Sequence, residues 1–308
     1  MLTTREAPVT TGGKRHVLAL GPELALLTVV SLWASTYVVT KDALETVNPL
    51  AFTSARFLFM LVLAFAVLLV AERREGSASI RREDLPRFLA ASLTGYTLYQ
   101  LGFVLGLDRV SPFSAALMQS LMPFFTMLLL TMRREPTTLA GWIGLGIAFA
   151  GVVVFLLDKR DGDGSLLGNF FSLGAALSFA VYGLVNRPLV QKYPPATYTA
   201  YSLLFGAIPL FAVGMPTTVR QDWAELPASA WLAIAYMAVF PVYVAYMLWN
   251  WGIARRGAAV ATSFGLLMPV ISGIFSVFFF AEAFPPGKLI GAGLVLIGLA
   301  AMRGRTWR

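Results

Sequence analysis

Polar and aromatic side chains recur at helical spacing inside otherwise apolar stretches of this sequence. Residues at positions i, i+3, i+4 and i+7 share one face of a helix, and a hydroxyl or amide that faces lipid has no partner. We therefore predict that these side chains face a binding cavity, although hydrogen bonding between helices would also place them inward. The candidate ligand-binding residues are Trp33, Thr36, Tyr37, Tyr96, Tyr99, Gln100, Gln119, Ser178, Tyr182, Tyr243, Tyr246 and Asn250.

The residue combinations that most enzymes and metal sites need are missing from the sequence. It contains no Cys and a single His, His16, which leaves too few ligands for a zinc site. We found neither a phosphate-binding glycine loop nor a nucleophile elbow. We therefore expect no catalytic residue, no metal, no cofactor and no enzymatic activity.

The elements that position the candidate residues are predicted to be membrane-spanning helices. Hydrophobic residues make up 57% of the 308 residues and charged residues 13%, whereas soluble domains carry about 25% charged residues. A helix needs about 20 apolar residues to cross a bilayer. Ten stretches fit, and we name them spans 1 to 10: residues 23–40, 49–70, 86–107, 112–132, 138–157, 166–187, 195–214, 229–252, 257–280 and 287–302. The predicted fold class is all-α integral membrane.

The basic residues predict the orientation of these spans. If the connections alternate between the two sides, 17 of the 24 Lys and Arg residues fall on one side, together with both termini. Cytoplasmic loops carry the excess of basic residues, so we expect both termini in the cytoplasm. The net charge of +8 is thus a topology signal, and we expect no nucleic-acid partner.

Three prolines and two cations are candidates for gating. Pro123, Pro269 and Pro241 lie inside spans, where each removes a backbone hydrogen bond and can kink its helix. Such kinks could be static, or the repeated pair Pro123 and Pro269 could form hinges. Arg56 is the ionisable residue well inside a span; it lies about 10 Å beyond Pro49 along the helix. It could extend to the interface as an anchor near a gate or contact a ligand carboxylate. Lys41, one turn beyond the polar face of span 1, is equally ambiguous.

The second half of the sequence repeats the first. Tyr37 and Pro49 match Tyr182 and Pro194 at an offset of 145 residues, and Pro123 matches Pro269 at an offset of 146. At an offset of 147, the matched pairs are Glu135 and Glu282, Gly144 and Gly291, Gly146 and Gly293, and Gly151 and Gly298. Five spans per copy is an odd number, so the copies would cross the membrane in opposite senses. Inverted repeats around a midplane site are a recurrent transporter architecture.

These features define the predicted segments of the chain. We expect a cytoplasmic tail at 1–22, a first five-helix repeat at 23–157 and an external linker at 158–165. A second, inverted repeat would occupy 166–302, and a short cytoplasmic tail 303–308.

The matched motifs resemble a known family. The run TrpAlaSerThrTyrValValThrLys at 33–41, AsnProLeuAla at 48–51, AlaArgPhe at 55–57 and the two LeuMetPro spans are similar to the drug/metabolite transporter superfamily. Within it, the chain resembles ten-span exporters built from two EamA-type repeats, most closely bacterial aromatic and neutral amino acid exporters. The resemblance implies alternating access and a central cavity formed mainly by spans 1, 3, 4, 6, 8 and 9, with spans 5 and 10 to one side.

Together these features predict an amino acid exporter of the bacterial inner membrane. Aromatic rings, amides and hydroxyls without a central carboxylate suit a solute that is neutral overall and polar at one end. The alternatives are an exporter of drugs or lipophilic cations, an exporter of nucleotide-sugar type solutes and, more remotely, a membrane protein that is not a transporter. The expected partners are a small-molecule substrate and the lipid bilayer; ion coupling, the direction of flux and homodimer formation are left open by the sequence.

Overall fold

The computed structural model describes residues 12–75, 80–134, 139–157, 165–256, 264–265 and 267–303. All regular elements within these residues are helices, as predicted. In this part of the chain eight helices are long and apolar enough to cross a membrane: Gly21–Ala43, Pro49–Arg73, Arg82–Arg109, Pro112–Met132, Leu139–Leu157, Leu166–Lys192, Pro195–Arg220 and Ala228–Trp249. Two shorter apolar helices, Leu267–Phe280 and Pro286–Ala301, follow.

The eight long helices coincide with predicted spans 1 to 8, and the two shorter ones with spans 9 and 10. Helix Gly12–Ala43 begins inside the predicted tail. Most of the first ten residues predicted for span 9, namely 257–263 and 266, lie outside the described residues. We retain the span numbers for these helices.

Spans 3, 4 and 8 are not continuous α-helices. Span 3 consists of Leu85–Ser92, a π-helical turn at Leu93–Leu98, and Tyr99–Arg109. Span 8 has the same construction, with a π turn at Phe240–Val244 between Ala228–Val239 and Ala245–Arg256. Pro241 lies in that second turn and cannot donate a backbone hydrogen bond.

Span 4 breaks where a proline was expected to kink it. Its two helices are Pro112–Gln119 and Met122–Met132. Pro123 therefore lies in the first turn of the second helix, the position that tolerates a missing backbone N–H.

Matching backbone features recur at an offset of 147 residues. The two π turns begin at Leu93 and Phe240. The turn in which Leu121 N donates to Met118 O (3.3 Å) has a counterpart in which Met268 N donates to Gly265 O (3.2 Å). Within the described residues, the two non-glycine residues with positive φ are Arg134 (59°) and Ala281 (49°), again 147 apart.

Helix packing follows a pseudo-twofold pattern. Span 1 packs against spans 8 and 9, and span 6 packs against spans 3 and 4. Span 2 packs against span 7, and span 5 against span 10. Exchanging the two halves of the chain maps each of these packing pairs onto another pair or onto itself.

Glycines allow spans 5 and 10 to approach each other within the protomer. A Cβ atom added to Gly151 would lie 2.6 Å from Val295 N and 2.7 Å from Gly291 O. A Cβ atom added to Gly298 would overlap the backbone of Ala148. Small residues at such positions let helix backbones pack closely in membranes.

Candidate functional site

Four of the predicted tyrosines belong to one continuous array of aromatic rings. The array passes from span 1 through span 3 to span 6 and returns to span 3, in the order Tyr37, Phe103, Tyr99, Phe179, Tyr182 and Tyr96. Consecutive ring centroids lie 5.4, 6.3, 4.9, 5.1 and 6.0 Å apart, within the range of favourable aromatic contacts. An apolar or aromatic ligand group could pack along this array.

The array is buried at one end and accessible in its middle. Tyr37 is 2% exposed and packs in a core cluster with Phe103 and Leu107. Tyr99 and Tyr182 are half-buried. Tyr37 is therefore closed off in this conformation, whereas Tyr99 and Tyr182 retain surface that a ligand could contact.

The π turn brings the backbone of span 3 close to span 6. Gly95, inside that turn, lies directly against the ring of Tyr182, so closely that any Cβ would overlap the ring. The Tyr182 hydroxyl accepts a hydrogen bond from Tyr198 (3.1 Å). Irregular turns of this kind are frequent at functional sites, and this one sets the position of a predicted site residue.

Trp33 marks a second contact region, between spans 1 and 8. Its Nε1 donates to the backbone oxygen of Pro241 (3.0 Å), in the π turn of span 8. Its ring centroid lies 5.1 Å from that of Trp249. Trp33 therefore bonds to the backbone of span 8 instead of presenting a free N–H.

Arg56 lies inside the bundle. It is 5% exposed, and its guanidinium donates from Nη2 to Oε1 of Gln100 on span 3. The side chain is therefore directed from span 2 towards Gln100 of span 3. An anchor near a gate and a ligand contact both stay predictions. Arg56 and Gln100 form a polar pair, and Gln100 directly follows Tyr99 in the sequence.

Tyr243 of span 8 approaches the same side of span 2. Its hydroxyl lies 3.5 Å from the backbone oxygen of Met60, one helical turn beyond Arg56. Tyr243 corresponds to Tyr96 at the offset of 147, and Tyr246 corresponds to Tyr99. The side chains of Tyr246 and Asn250 are outside the described residues.

The other candidate residues do not join the array. Thr36 donates to the oxygen of Trp33 in its own helix (2.6 Å), which favours the structural interpretation. Gln119 is 3% exposed, and its Nε2 is buried without a hydrogen-bond partner. Ser178, one residue before Phe179, is half-buried.

Lys41 joins the ends of spans 1 and 3. Its Nζ donates to the backbone oxygens of Leu107 (2.9 Å) and Asp108 (3.1 Å). A cation is favourable at this position because carbonyl groups at a helix C-terminus carry partial negative charge.

A buried polar cluster at this end of the bundle was not predicted. Glu282 accepts hydrogen bonds from Ser111 (2.6 Å), Lys288 (2.6 Å) and Ser276. The side chains of Lys288 and Glu282 are 8% and 6% exposed. We call this region the Glu282 end; the cluster ties together spans 4, 9 and 10. The match between Glu135 and Glu282 singled out this residue, but Glu135 lies outside the described residues.

The opposite end of the bundle carries a more exposed polar cluster, which we call the Tyr193 end. Lys192 forms ion pairs with Asp84 (2.5 Å) and Glu83 (3.1 Å), and its side chain is 35% exposed. The Tyr193 hydroxyl donates to Asp84 (2.5 Å). Burial and this hydrogen bond raise the pKa of Tyr193, so the phenol stays protonated as the donor.

No group of three or more His, Cys, Asp or Glu residues that could hold a metal ion occurs within the described part of the chain. The candidate residues that the structure brings together carry aromatic, amide and guanidinium groups. Such groups can pack against a solute and hydrogen-bond to it.

Known proteins resemble this chain over most of its length. The chain is 25% identical to a probable terminal-alkyne amino-acid exporter of Streptantibioticus cattleyicolor, over 92% of this chain and 93% of that protein. It is 26% identical to an S-adenosylmethionine/S-adenosylhomocysteine transporter of Chlamydia trachomatis, over 87% and 84% of the two chains. A solved crystal structure with 21% identity superposes with a TM-score of 0.60, covering 91% of this chain and 96% of that one.

The family comparison covers nearly the whole chain. The EamA-like transporter family model matches twice, at residues 21–157 and at residues 166–304. The two matches correspond to the two halves that share π turns, prolines and glycines. This chain is a multi-pass membrane transporter and belongs to the EamA-like transporter family.

Proposed function

We propose that this transporter exports aromatic and other neutral amino acids from the cytoplasm by alternating access. The observation that carries the proposal is the array of six rings across spans 1, 3 and 6, which passes the Arg56–Gln100 pair at Tyr99. Rings pack an apolar side chain, and polar groups beside them meet charged or hydrogen-bonding groups of the same solute.

The charge of the interior supports a zwitterionic solute. The sequence places no Asp or Glu near the middle of any span, and the ionisable group inside the site is a cation, Arg56. A lipophilic cation would meet a like charge without a carboxylate to offset it. A nucleotide-sugar type solute carries several negative charges and would need more cations than one.

The named relatives support the same class of solute. One is described as an amino-acid exporter. The other is named for S-adenosylmethionine and S-adenosylhomocysteine, molecules that contain an amino acid group.

We also propose ten spans arranged as two inverted five-helix repeats in the bacterial inner membrane, with both termini in the cytoplasm. The support is the pseudo-twofold packing and the distribution of basic residues. The Tyr193 end would then face the cytoplasm and the Glu282 end the periplasm. Pro123, Pro269 and Pro241 would be hinges, because they lie at helix interruptions that the two halves share.

Cysteine labelling tests the orientation, because the native chain has no Cys. Arg82 lies at the Tyr193 end, and Glu225 lies in the connection between spans 7 and 8; both are exposed. In spheroplasts, a membrane-impermeant maleimide should label Glu225→Cys, and it should label Arg82→Cys only after lysis. The reverse pattern would overturn the proposed orientation.

Transport of labelled amino acids tests the function. Proteoliposomes loaded with phenylalanine, leucine, threonine or methionine should release them faster than protein-free vesicles, and efflux with and without a pH gradient would reveal proton coupling. Tetraphenylphosphonium is the matched lipophilic cation, and the protein should not speed its release beyond that from protein-free vesicles. If all four amino acids stay inside while the protein speeds release of the cation, the proposal is wrong.

A further inference from the structure

Among the residues that the structure describes, Arg56 is a buried cation without an anionic partner. Its side chain is 95% removed from solvent, and its bonded acceptor is the neutral amide of Gln100. Its Nε is buried and makes no hydrogen bond. Across the residues that the structure describes, no Asp or Glu forms an ion pair with Arg56.

A charge in this setting is unfavourable unless something else compensates it. Removing a guanidinium from water is costly, and pairing with an anion in good geometry offsets that cost. The sequence offers no carboxylate near the middle of any span, so the chain itself has no counterion to supply at this depth. A bound solute can supply one.

Comparison of the two halves distinguishes Arg56 from the residues that maintain the fold. Prolines, glycines and π turns occur in both halves of the chain. The offset of 145 that matches Pro49 with Pro194 places Tyr201 opposite Arg56, and the offset of 147 places Met247 opposite Gln100. The Arg56–Gln100 pair thus occurs in one half, as expected for residues that contact an asymmetric solute.

The hydrogen-bonding geometry favours a carboxylate. A guanidinium only donates hydrogen bonds, so the amide oxygen of Gln100 must face Arg56. The Gln100 NH₂ group is then directed elsewhere and can donate to a second acceptor. An arginine edge with a neighbouring amide donor suits the planar, two-oxygen geometry of a carboxylate.

We propose that Arg56 and Gln100 bind the carboxylate of the transported solute, so that recognition requires a carboxylate. The inference rests on the proposed amino acid transport and adds the group that is recognised. The solute's side chain would extend from this pair along Tyr99 and Phe179, whose ring centroids lie 4.9 Å apart.

Ligand pairs that differ in the carboxylate alone test this inference. The purified full-length protein is titrated with phenylalanine and with phenylalaninamide, and binding is followed by calorimetry. We expect phenylalanine to bind at least about 30-fold more tightly, the range for losing one partner of a buried charge pair. Equal affinity of the native protein for the two ligands would overturn the inference.

The variant Arg56→Gln should remove the preference by weakening phenylalanine binding while leaving phenylalaninamide binding unchanged. Arg87→Gln is the control, since Arg87 is an exposed arginine on the same span as Gln100, and it should keep the native ratio. An equal loss of both ligands in Arg56→Gln would indicate a structural role and contradict the inference. If Arg56→Gln does not fold, Gln100→Met, which introduces the residue of the other half, should reduce the ratio; an unchanged ratio would contradict the inference.

A third ligand distinguishes failure of the inference from failure of the proposed function. 3-Phenylpropionate has the carboxylate but lacks the ammonium group. If it binds to the native protein but not to Arg56→Gln, while no amino acid binds, the carboxylate site is supported and the amino acid function is contradicted. If phenylalanine is transported with the same affinity by the native protein and by Arg56→Gln, the function stands and the carboxylate site falls.

Discussion

The two halves of the chain share their backbone irregularities but differ in part of their site chemistry. Both carry a π turn, at Leu93–Leu98 and Phe240–Val244, and both have tyrosines at equivalent positions. When the two halves are aligned, Arg56 is matched by Tyr201 and Gln100 by Met247. We propose that the shared features permit movement between two related conformations and that the unshared residues select the solute.

The two ends of the bundle differ in how far their charged side chains are buried. At the Glu282 end, Glu282 and Lys288 are 6% and 8% exposed and hydrogen-bond to Ser111 and Ser276. At the Tyr193 end, Lys192 and Glu83 are 35% and 66% exposed. In this conformation the Glu282–Lys288 pair is therefore more buried than the Lys192–Glu83 pair.

Removing the cation of the buried pair should have the largest effect on stability. Lys288→Met leaves the Glu282 carboxylate buried without a cation, which costs about 3–5 kcal/mol. The thermal midpoint in detergent, followed by tryptophan fluorescence, should fall clearly. The double variant Glu282→Gln, Lys288→Met should recover much of the loss, because a neutral pair needs no counterion. A native midpoint in Lys288→Met would show that the pair is not buried as described.

Adding one methyl group between spans 5 and 10 should have the next largest effect. In Gly151→Ala the new Cβ meets backbone atoms of span 10, so the helices must separate at a cost of about 1–3 kcal/mol. Gly146→Ala is the control on the same helix, because nothing lies within 4 Å of its added Cβ. Equal midpoints for the two variants would contradict packing of spans 5 and 10 within one protomer.

Replacing the prolines at the helix interruptions of spans 4 and 9 restores backbone hydrogen-bond donors. This should change the rate of solute exchange more than the thermal stability of the protein. Pro123→Ala and Pro269→Ala allow a continuous helix, which would stiffen spans 4 and 9. We expect each to slow solute exchange several-fold in vesicles while the apparent affinity stays close to native. If both variants exchange at the native rate, the prolines are static kinks and the hinge proposal fails.

The smallest effect is expected at the exposed pair. Glu83→Gln removes an ion pair with Lys192, but Lys192 keeps Asp84 as a partner, and exposed pairs often contribute nothing measurable. The thermal midpoint should match that of the native protein. A drop as large as that of Lys288→Met would remove the contrast between the two ends.

The helices could be predicted from sequence because lipid imposes helical structure. The aromatic faces could be predicted because a period of 3.6 residues places Tyr96 and Tyr99 on the same side of a helix. The π turn at Leu93–Leu98 could not, since it contains no proline and its residues fit an ordinary α-helix equally well. The direction of Arg56 also depends on how spans 2 and 3 pack, which no local pattern specifies. Phe179 was missed although it lies three residues before Tyr182, a spacing that could have identified it.

The Glu282–Lys288 pair could not be predicted from local sequence patterns either. The two residues are six positions apart across the turn between spans 9 and 10, where helical spacing no longer applies. Ser111, which donates to Glu282, is far away in sequence. Such contacts follow from the packing of distant helices.

Counterflow of labelled phenylalanine tests the central claim most directly. Proteoliposomes containing the protein are preloaded with unlabelled phenylalanine and diluted into a trace of the labelled amino acid. Amino acid transport by alternating access predicts transient accumulation of label above that in protein-free vesicles, and external leucine should reduce it while tetraphenylphosphonium should not. No accumulation with phenylalanine, leucine, threonine or methionine, in proteoliposomes that move tetraphenylphosphonium faster than protein-free vesicles do, would contradict it.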